Sequence, residues 1–313
     1  MARATTYEIR HLTAYEYRMA VPFARCVLRL TPIDRIGQVV RSAGIDLDPA
    51  PEECQDGTDD FGNRITRIAF HRPHTRLSIR SFARVEVAGT DADAAVGALV
   101  ARSPNWERIR DLALAGRDIR GLAPVGFLFS SRLVGLADPI LTYTARSFEP
   151  GRTVVAAAID LTRRIRRDFV YDPSATNVTT PVLQAFAARR GVCQDFAHVM
   201  IAGLRALGIP AAYVSGYLRT VPPPGQRRLE GADAMHAWVS VWCGPEIGWI
   251  GLDPTNGIAA GSSHVVLAIG RDYSDVSPVD GVVLTAGEQG LSVAVDVVEM
   301  PATAETGDES MAD

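Results

Sequence analysis

Residues 191–218 read GVCQDFAHVMIAGLRALGIPAAYVSGYL, and the fold turns on this stretch. Phe196, Val199, Met200, Leu204 and Leu207 recur at helical spacing, which predicts one helix from about Cys193 to Leu207 with an apolar face. Gly208 and Pro210 stop it, and AAYVSGYL then reads as a strand. Cys193 therefore stands at a helix start. There the dipole is positive and backbone N–H groups lack partners, so the site favours a thiolate over a thiol that, at an ordinary pKa of ~8.5, is mostly protonated at neutral pH. Cysteine is also a common small buried hydrophobe, and from position alone the two readings stand level.

Working outward, TTPVLQAFAARRG (179–191) supplies an N-cap at Thr180, a proline at the first helical position and a terminating glycine at Gly191. Downstream, MHAWVSVW (235–242) alternates strictly. Ala237, Val239 and Val241 share one face; His236, Trp238, Ser240 and Trp242 share the other. GWIGLDP (248–254) continues the meander. If Cys243 to Gly248 closes a hairpin, Asp253 falls within about two residues of the point opposite His236. Strand pairing then sets a carboxylate against the imidazole, and sheet-on-helix packing sets the imidazole against the sulfur. A nucleophile needs such a base, and the base needs an orienting group. His198 is nearer in sequence but points about 140° away from Cys193 around the helix, and is read as a packed helix histidine.

The N-terminal third has a different character. TYEIRHLTAYEY, CVLRLTP, VVRSAGIDLDP, RITRIAF and RLSIRSFARVEV are β-branched or alternating runs separated by turn clusters such as DGTDDFGN (56–63), which predicts an antiparallel β-sandwich over residues 1–95. VAGTDADAAVGA marks a boundary near residues 88–105. Helical patterns follow in NWERIRDLALAG and TVVAAAIDLTRRIRRDF. The division expected is a sandwich (1–95), a helical connector (96–150), a catalytic unit (151–300) that includes the strands HVVLAIG and LSVAVDVVEM, and an acidic disordered tail (301–313).

These motifs resemble the transglutaminase-like superfamily, a papain-related fold with a Cys-His-Asp triad in that chain order. GVCQDFAHVMIAGLRALGIPAAYVSGYL and MHAWVSVWCGPEIGWIGLDPTNG carry the resemblance. YEIRHLTAYEY, DDFGNRI and HVVLAIGRDYSDVSPVDG extend it to the bacterial branch with an N-terminal β-domain. The likeness spans nearly the whole chain apart from the connector and the tail. It implies an α+β fold, an N-terminal antiparallel β-sandwich followed by a papain-like transglutaminase core. It also implies Cys193 as nucleophile, His236 as base and then acid, and Asp253 as the orienting carboxylate. The reaction implied is acyl transfer from an amide through a thioester. Hydrolysis of a peptide or isopeptide bond is the first reading; transglutamination with an amine acceptor is the alternative, and a non-catalytic peptide-binding module is a third.

For the oxyanion, the backbone N–H of Cys193 is one donor, and Tyr171 and Asn177 are candidates for a second. Asp195, in the first helical turn, suits the dipole and is read as structural. Trp238, Trp242 and Trp249 wall a groove or fill the core. His71 and His74 flank Pro73 and read as a strand-connecting turn rather than a metal pair; a zinc site from Cys193, His198 and His236 lacks the tight spacing zinc favours. No DxDxDG calcium loop is present, and no cofactor or metal is expected.

Composition sets the outer bounds. With 313 residues, 47% hydrophobic and 22% charged, the chain is globular and long enough for two cores. Its net charge of −4 gives no basic footprint for nucleic acid or anionic membrane. The one dense basic run, Arg163, Arg164, Arg166 and Arg167, reads as a solvated helix end. The N-terminus has no signal-type apolar core and no stretch reaches the ~18 apolar residues of a span, so a cytoplasmic protein is expected, with Cys26, Cys54, Cys193 and Cys243 as reduced thiols. The partner expected is a peptide or protein amide; the pattern carries no signal for oligomeric state.

Overall fold

The structure, a computed structural model, describes residues 4–89, 91–220, 235–284 and 287–301. Six strands open the chain: β1 (Thr5–Val21), β2 (Phe23–Leu28), β3 (Gln38–Asp48), β4 (Glu53–Thr58), β5 (Arg64–Phe70) and β6 (His74–Val87). In β1 the odd residues Tyr7, Ile9, His11 and Thr13 are buried while Glu8 and Arg10 face out and pair with one another. β6 answers with Leu77, Ile79, Ala83, Val85 and Val87 inward. The two-residue period thus makes one greasy face per sheet, and two such faces close on each other.

Helices follow: α1 (Ala92–Leu99), α2 (Trp106–Leu114), α3 (Asp138–Ala145) and α4 (Val154–Asp168). Next come the short strand β7 (Val170–Tyr171), α5 (Val182–Ala188), the short strand β8 (Arg190–Gly191) and α6 (Cys193–Ala206). β9 (Ala211–Leu218), β10 (Met235–Trp242), β11 (Trp249–Asp253), β12 (Ile258–Ala259) and β13 (His264–Gly270) build a five-stranded sheet in the order β12-β11-β10-β9-β13. After α7 (Tyr273–Val276) the chain ends its described part with β14 (Val279–Leu284) and β15 (Gln289–Glu299).

These last strands correct the expected division. β15 pairs with β1 over Tyr7–Tyr17, and β14 pairs with β2, so the sandwich consists of the sheets β15-β1-β6-β3 and β14-β2-β5-β4. The unit expected to run to residue 300 therefore ends near Ser277. A strand's own alternation does not say which sheet edge it will join. Residues 53–58, expected in part as a turn, form β4; the turn proper is held by Asp59, whose carboxylate accepts from the backbone N–H groups of Phe61 and Asn63. Nor is the helical region 96–150 a mere connector. Ile109, Val134, Ile140, Tyr143 and Phe148 share one core with α4, α6 and the five-stranded sheet. Residues 302–313, nearly all of the expected tail, lie outside the described residues.

Two side-chain amides dock the sandwich onto the sheet. Gln38 donates to the carbonyl of Val266 (2.8 Å) and accepts from its N–H (2.7 Å). Asn63 does the same with Ile269, at 2.8 Å each way. Both amides are buried and occupy ladder groups that the edge strand β13 would otherwise leave unpaired. Arg164 departs from the solvated helix end expected of its cluster: its guanidinium donates to the Tyr143 carbonyl and Ser147 Oγ and stacks on the Tyr143 ring.

Candidate active site

α6 begins at Cys193 because the residue before it is extended and Asp195 reaches back to cap it. The Asp195 carboxylate accepts from Val192 N–H at 2.8 Å and from Thr176 Oγ at 2.6 Å, as its structural reading required. Helix α5 ends differently from the sequence expectation. Arg189, not Gly191, adopts the left-handed conformation (φ 54°), its guanidinium seated on the rings of Phe186, Tyr143 and Phe169 at 4.0 to 4.6 Å. Pro181, not Thr180, is the N-cap. Gly191 is needed for another reason: a Cβ there would collide with the Asp195 carboxylate.

Helix α6 is buried from Gln194 through Arg205, packed between α3, α5 and the sheet face formed by Ala237, Val239 and Val241. This packing fixes the helix start against the end of β10. His198 is buried inside it, with Nε2 accepting the Tyr273 N–H (3.2 Å) and the ring against Tyr213. Burial holds its pKa down to about 4 despite the nearby charge of Asp272, so it is a neutral packed histidine.

His236 opens β10 on the opposite face. β10 and β11 pair antiparallel with Val239 opposite Leu252, which sets Asp253 opposite Trp238 and two residues short of the point facing His236. His236 Nε2 and Asp253 Oδ2 are 2.8 Å apart. Cys193 lies close enough to help raise the ring's pKa and lines one cavity with it, and since Nε2 is engaged by Asp253, Nδ1 is the nitrogen left to face the sulfur. Burial disfavours the imidazolium, but the hydrogen bond to Asp253, the nearby Cys193 and the carboxylate's charge outweigh it, and the pKa is raised well above 6.5. Asp253 is fully buried. Desolvation pushes its pKa up, while hydrogen bonds from His236, His264 and Asn256 and the imidazolium's charge more than reverse this, leaving it below the ordinary carboxylate range.

Two supporting residues were not singled out from the sequence. His264, at the start of β13, lies with Nε2 3.2 Å from Asp253 Oδ2. Its Nδ1 accepts the Gly261 N–H (3.2 Å), which fixes the proton on Nε2 and makes it a donor to Asp253. Asn256 donates Nδ2 to the same oxygen at 2.6 Å, and the N–H groups of Thr255 and Asn256 serve Oδ1. The turn signal DPTNG could have revealed Asn256; a lone histidine opening an apolar strand was the only hint of His264. Candidate ligand atoms of His236, Asp253 and His264 lie within 4.8 Å of one another, a spacing that suits a metal ion. Asp253 Oδ2, however, already accepts from both rings and from Asn256, so protein hydrogen bonds use the donor set.

Of the other sequence candidates, Tyr171 lies near Cys193, half-exposed on β7, whereas the Asn177 side-chain oxygen is spent on Thr179 within its own turn. Trp238 is core: it is fully buried, stacks on His236 (6.2 Å, 27°) and meets His264 edge-on (5.2 Å). Trp249 packs on Phe127, and Trp242 packs against the main core. His71 pairs with Glu53, and His74 is buried against Tyr17 and Phe70, so the two do separate structural work. Cys26 and Cys243 are buried, and burial pushes both thiols up, Cys26 to about 11; Cys54 is exposed and Cys193 half-buried. No described helix is long and apolar enough to cross a membrane.

Comparison with known proteins agrees with this architecture. Residues 7–86 match the bacterial transglutaminase-like N-terminal region, and residues 142–254 match the transglutaminase-like superfamily. An uncharacterized protein of Mycobacterium tuberculosis (strain ATCC 25618 / H37Rv) is 38% identical over 93% of this chain and 92% of its own length. One from Mycobacterium leprae is 31% identical over 93% and 97%. A protein-glutamine gamma-glutamyltransferase of Pseudomonas aeruginosa is 37% identical over only 29% of this chain and 15% of its own. Among solved structures, a Cytophaga hutchinsonii protein provisionally named a cysteine protease superposes with TM-score 0.73 over 96% of this chain and 92% of its own, at 20% identity, a likeness of fold.

Proposed function

The chain belongs to the transglutaminase-like superfamily, and from that premise we propose that it is a cysteine-dependent amide hydrolase acting on peptide or isopeptide bonds through Cys193, His236 and Asp253. The single observation that carries this reading is the placement of His236, held 2.8 Å from the buried Asp253 carboxylate and lining one cavity with the Cys193 thiol.

The chemistry runs as follows. With the thiol proton on His236, the Cys193 sulfur attacks the amide carbonyl carbon; a C–S bond forms and the carbonyl π pair moves onto oxygen. N–H groups at the start of α6, unpaired within the helix, are the donors available to that developing charge. Collapse breaks the C–N bond as the His236 imidazolium gives its proton to the departing nitrogen, leaving a thioester. Water then attacks the thioester and yields a proton to His236. The C–S bond breaks, the acid leaves and the thiolate–imidazolium pair returns. Asp253 stays ionised throughout and holds the ring, as His264 and Asn256 hold Asp253.

Transglutamination shares every step up to the thioester and differs only in the acceptor. The test is the ratio of acid to amine adduct formed from a glutamine-containing or simple peptide amide as primary amine is raised. Carboxylate should dominate throughout. Adduct as the main product at low millimolar amine makes the enzyme a transferase instead.

A further inference from the structure

A cavity of about 300 Å³ opens beside Cys193 and His236, and much of its wall comes from the sandwich. The cause lies in the register of β1 and β15. On their shared inward face, Tyr7, Ile9, His11, Val295 and Val297 are buried. Further along the same face, Val293 stands opposite Thr13 and Leu291 opposite Tyr15. By alternation these belong to the covered side, yet Val293 is 53% and Leu291 59% exposed. They face the cavity instead of a second sheet, together with Val279 of β14 and Met235, the neighbour of His236.

Two further features define what such a space accepts. Among the described residues, none of those lining it is an aspartate, glutamate, lysine or arginine. The histidine on the sandwich wall, His11, is buried with Nδ1 3.0 Å from the Tyr217 hydroxyl and Nε2 3.1 Å from Thr13 Oγ, and burial lowers its pKa to about 4, so it adds no charge near neutral pH. The apolar wall is continuous with the thiol, and the one described lining group that carries charge, the His236 imidazolium, is already paired with Asp253, so an acidic or basic side chain placed on that wall would lose its hydration without a free counter-charge.

Resting on the amide-hydrolase reading, we infer that the face of β1 and β15 at Tyr15, Leu291 and Val293 is a substrate subsite, which takes a large apolar or aromatic side chain of the peptide next to the scissile amide. The sandwich is then part of the substrate site, and the substrate class is a peptide bearing Leu, Phe or a similar residue beside the bond attacked.

Alkylation of Cys193 tests this without needing turnover. Chloroacetamides carrying Leu, Phe, Asp or Lys side chains are reacted with the full-length protein, each rate divided by that of iodoacetamide on the same protein. Leu and Phe probes should react about 10- to 100-fold faster than Asp and Lys probes, the range that filling an apolar pocket gives. Leu291→Arg should reverse the order in favour of the Asp probe, and the milder Val293→Thr should reduce the Leu and Phe advantage. Equal normalised rates for all four probes in the native protein, or an order unchanged in both variants, overturns the inference. Failure of the hydrolase reading looks different: probe selectivity is present but no amide is cleaved.

Discussion

Asp253 Oδ2 lies 2.8 Å from His236 Nε2 across the β10–β11 pair, and the same oxygen is held from behind by His264 and Asn256. A buried carboxylate so surrounded is fixed in position and in charge. It turns a strand-end histidine into an oriented imidazolium facing the helix start that carries Cys193.

The pH profile follows from this pair. His236 has its pKa raised in the folded state, so its contribution to stability is complete below its unfolded value near ~6.5 and is lost as pH rises through the higher folded value. Asp253 is depressed, so its contribution is present above ~3.9 and is lost as pH falls through the lower folded value. Activity should therefore persist well above pH ~6.5. Asp253→Asn should move the alkaline limb of the rate profile down and lower kcat by about 10²- to 10⁴-fold, slowing hydrolysis and aminolysis alike. An unmoved alkaline limb in that variant counts against the pairing.

Loss of His264 should be felt through Asp253. His264→Phe removes one charge-assisted hydrogen bond from a buried carboxylate, a loss of about 1.5–3 kcal/mol. Because Asp253 is then less strongly depressed, the deficit should be full above ~3.9 and should shrink as pH falls through the variant's folded value. Thermal unfolding of both proteins between pH ~2 and 7 measures it; a difference that does not shrink at the acid end would show that His264 does not act on Asp253.

Gly191→Ala probes the start of α6. The added methyl collides with the Asp195 carboxylate that caps Val192, so stability should fall by about 1–3 kcal/mol. Alkylation of Cys193 should slow with it. A variant with native stability and native alkylation would mean that the cap does not set the cysteine's geometry.

Thiol selectivity separates Cys193 from the other three cysteines. Cys26 and Cys243 are buried, and Cys54 is exposed on the edge strand β4. Iodoacetamide near neutral pH should modify Cys193 first, by roughly tenfold or more over Cys54. Uniform labelling of Cys54 and Cys193 contradicts activation by His236.

Most of the core of the site was legible in the sequence because it rests on local patterns. The 3.6-residue period placed Cys193 at a helix start, and the two-residue period with a Gly-Pro turn brought Asp253 near His236. What escaped depends on long-range pairing. Nothing local to LSVAVDVVEM says that it returns to pair with β1, so the sandwich's share in the cavity at Leu291 and Val293 was invisible. His264 reaches Asp253 only because β13 lies beside β9 rather than continuing the meander at β12. The helix stop was misplaced at Gly191 because glycine is the usual left-handed residue; Arg189 takes that conformation with its guanidinium on three rings.

The central claim is that Cys193 carries the acyl group, and intact-protein mass spectrometry of acid-quenched turnover tests it most directly. With a peptide amide present, the protein should gain the mass of the acyl fragment, mapped to Cys193 and discharged by hydroxylamine. Cys193→Ala should fold, gain no mass and cleave nothing, while Cys26→Ala, Cys54→Ala and Cys243→Ala should all still turn over. Full cleavage by Cys193→Ala, or an acyl group found on another residue, would contradict the account.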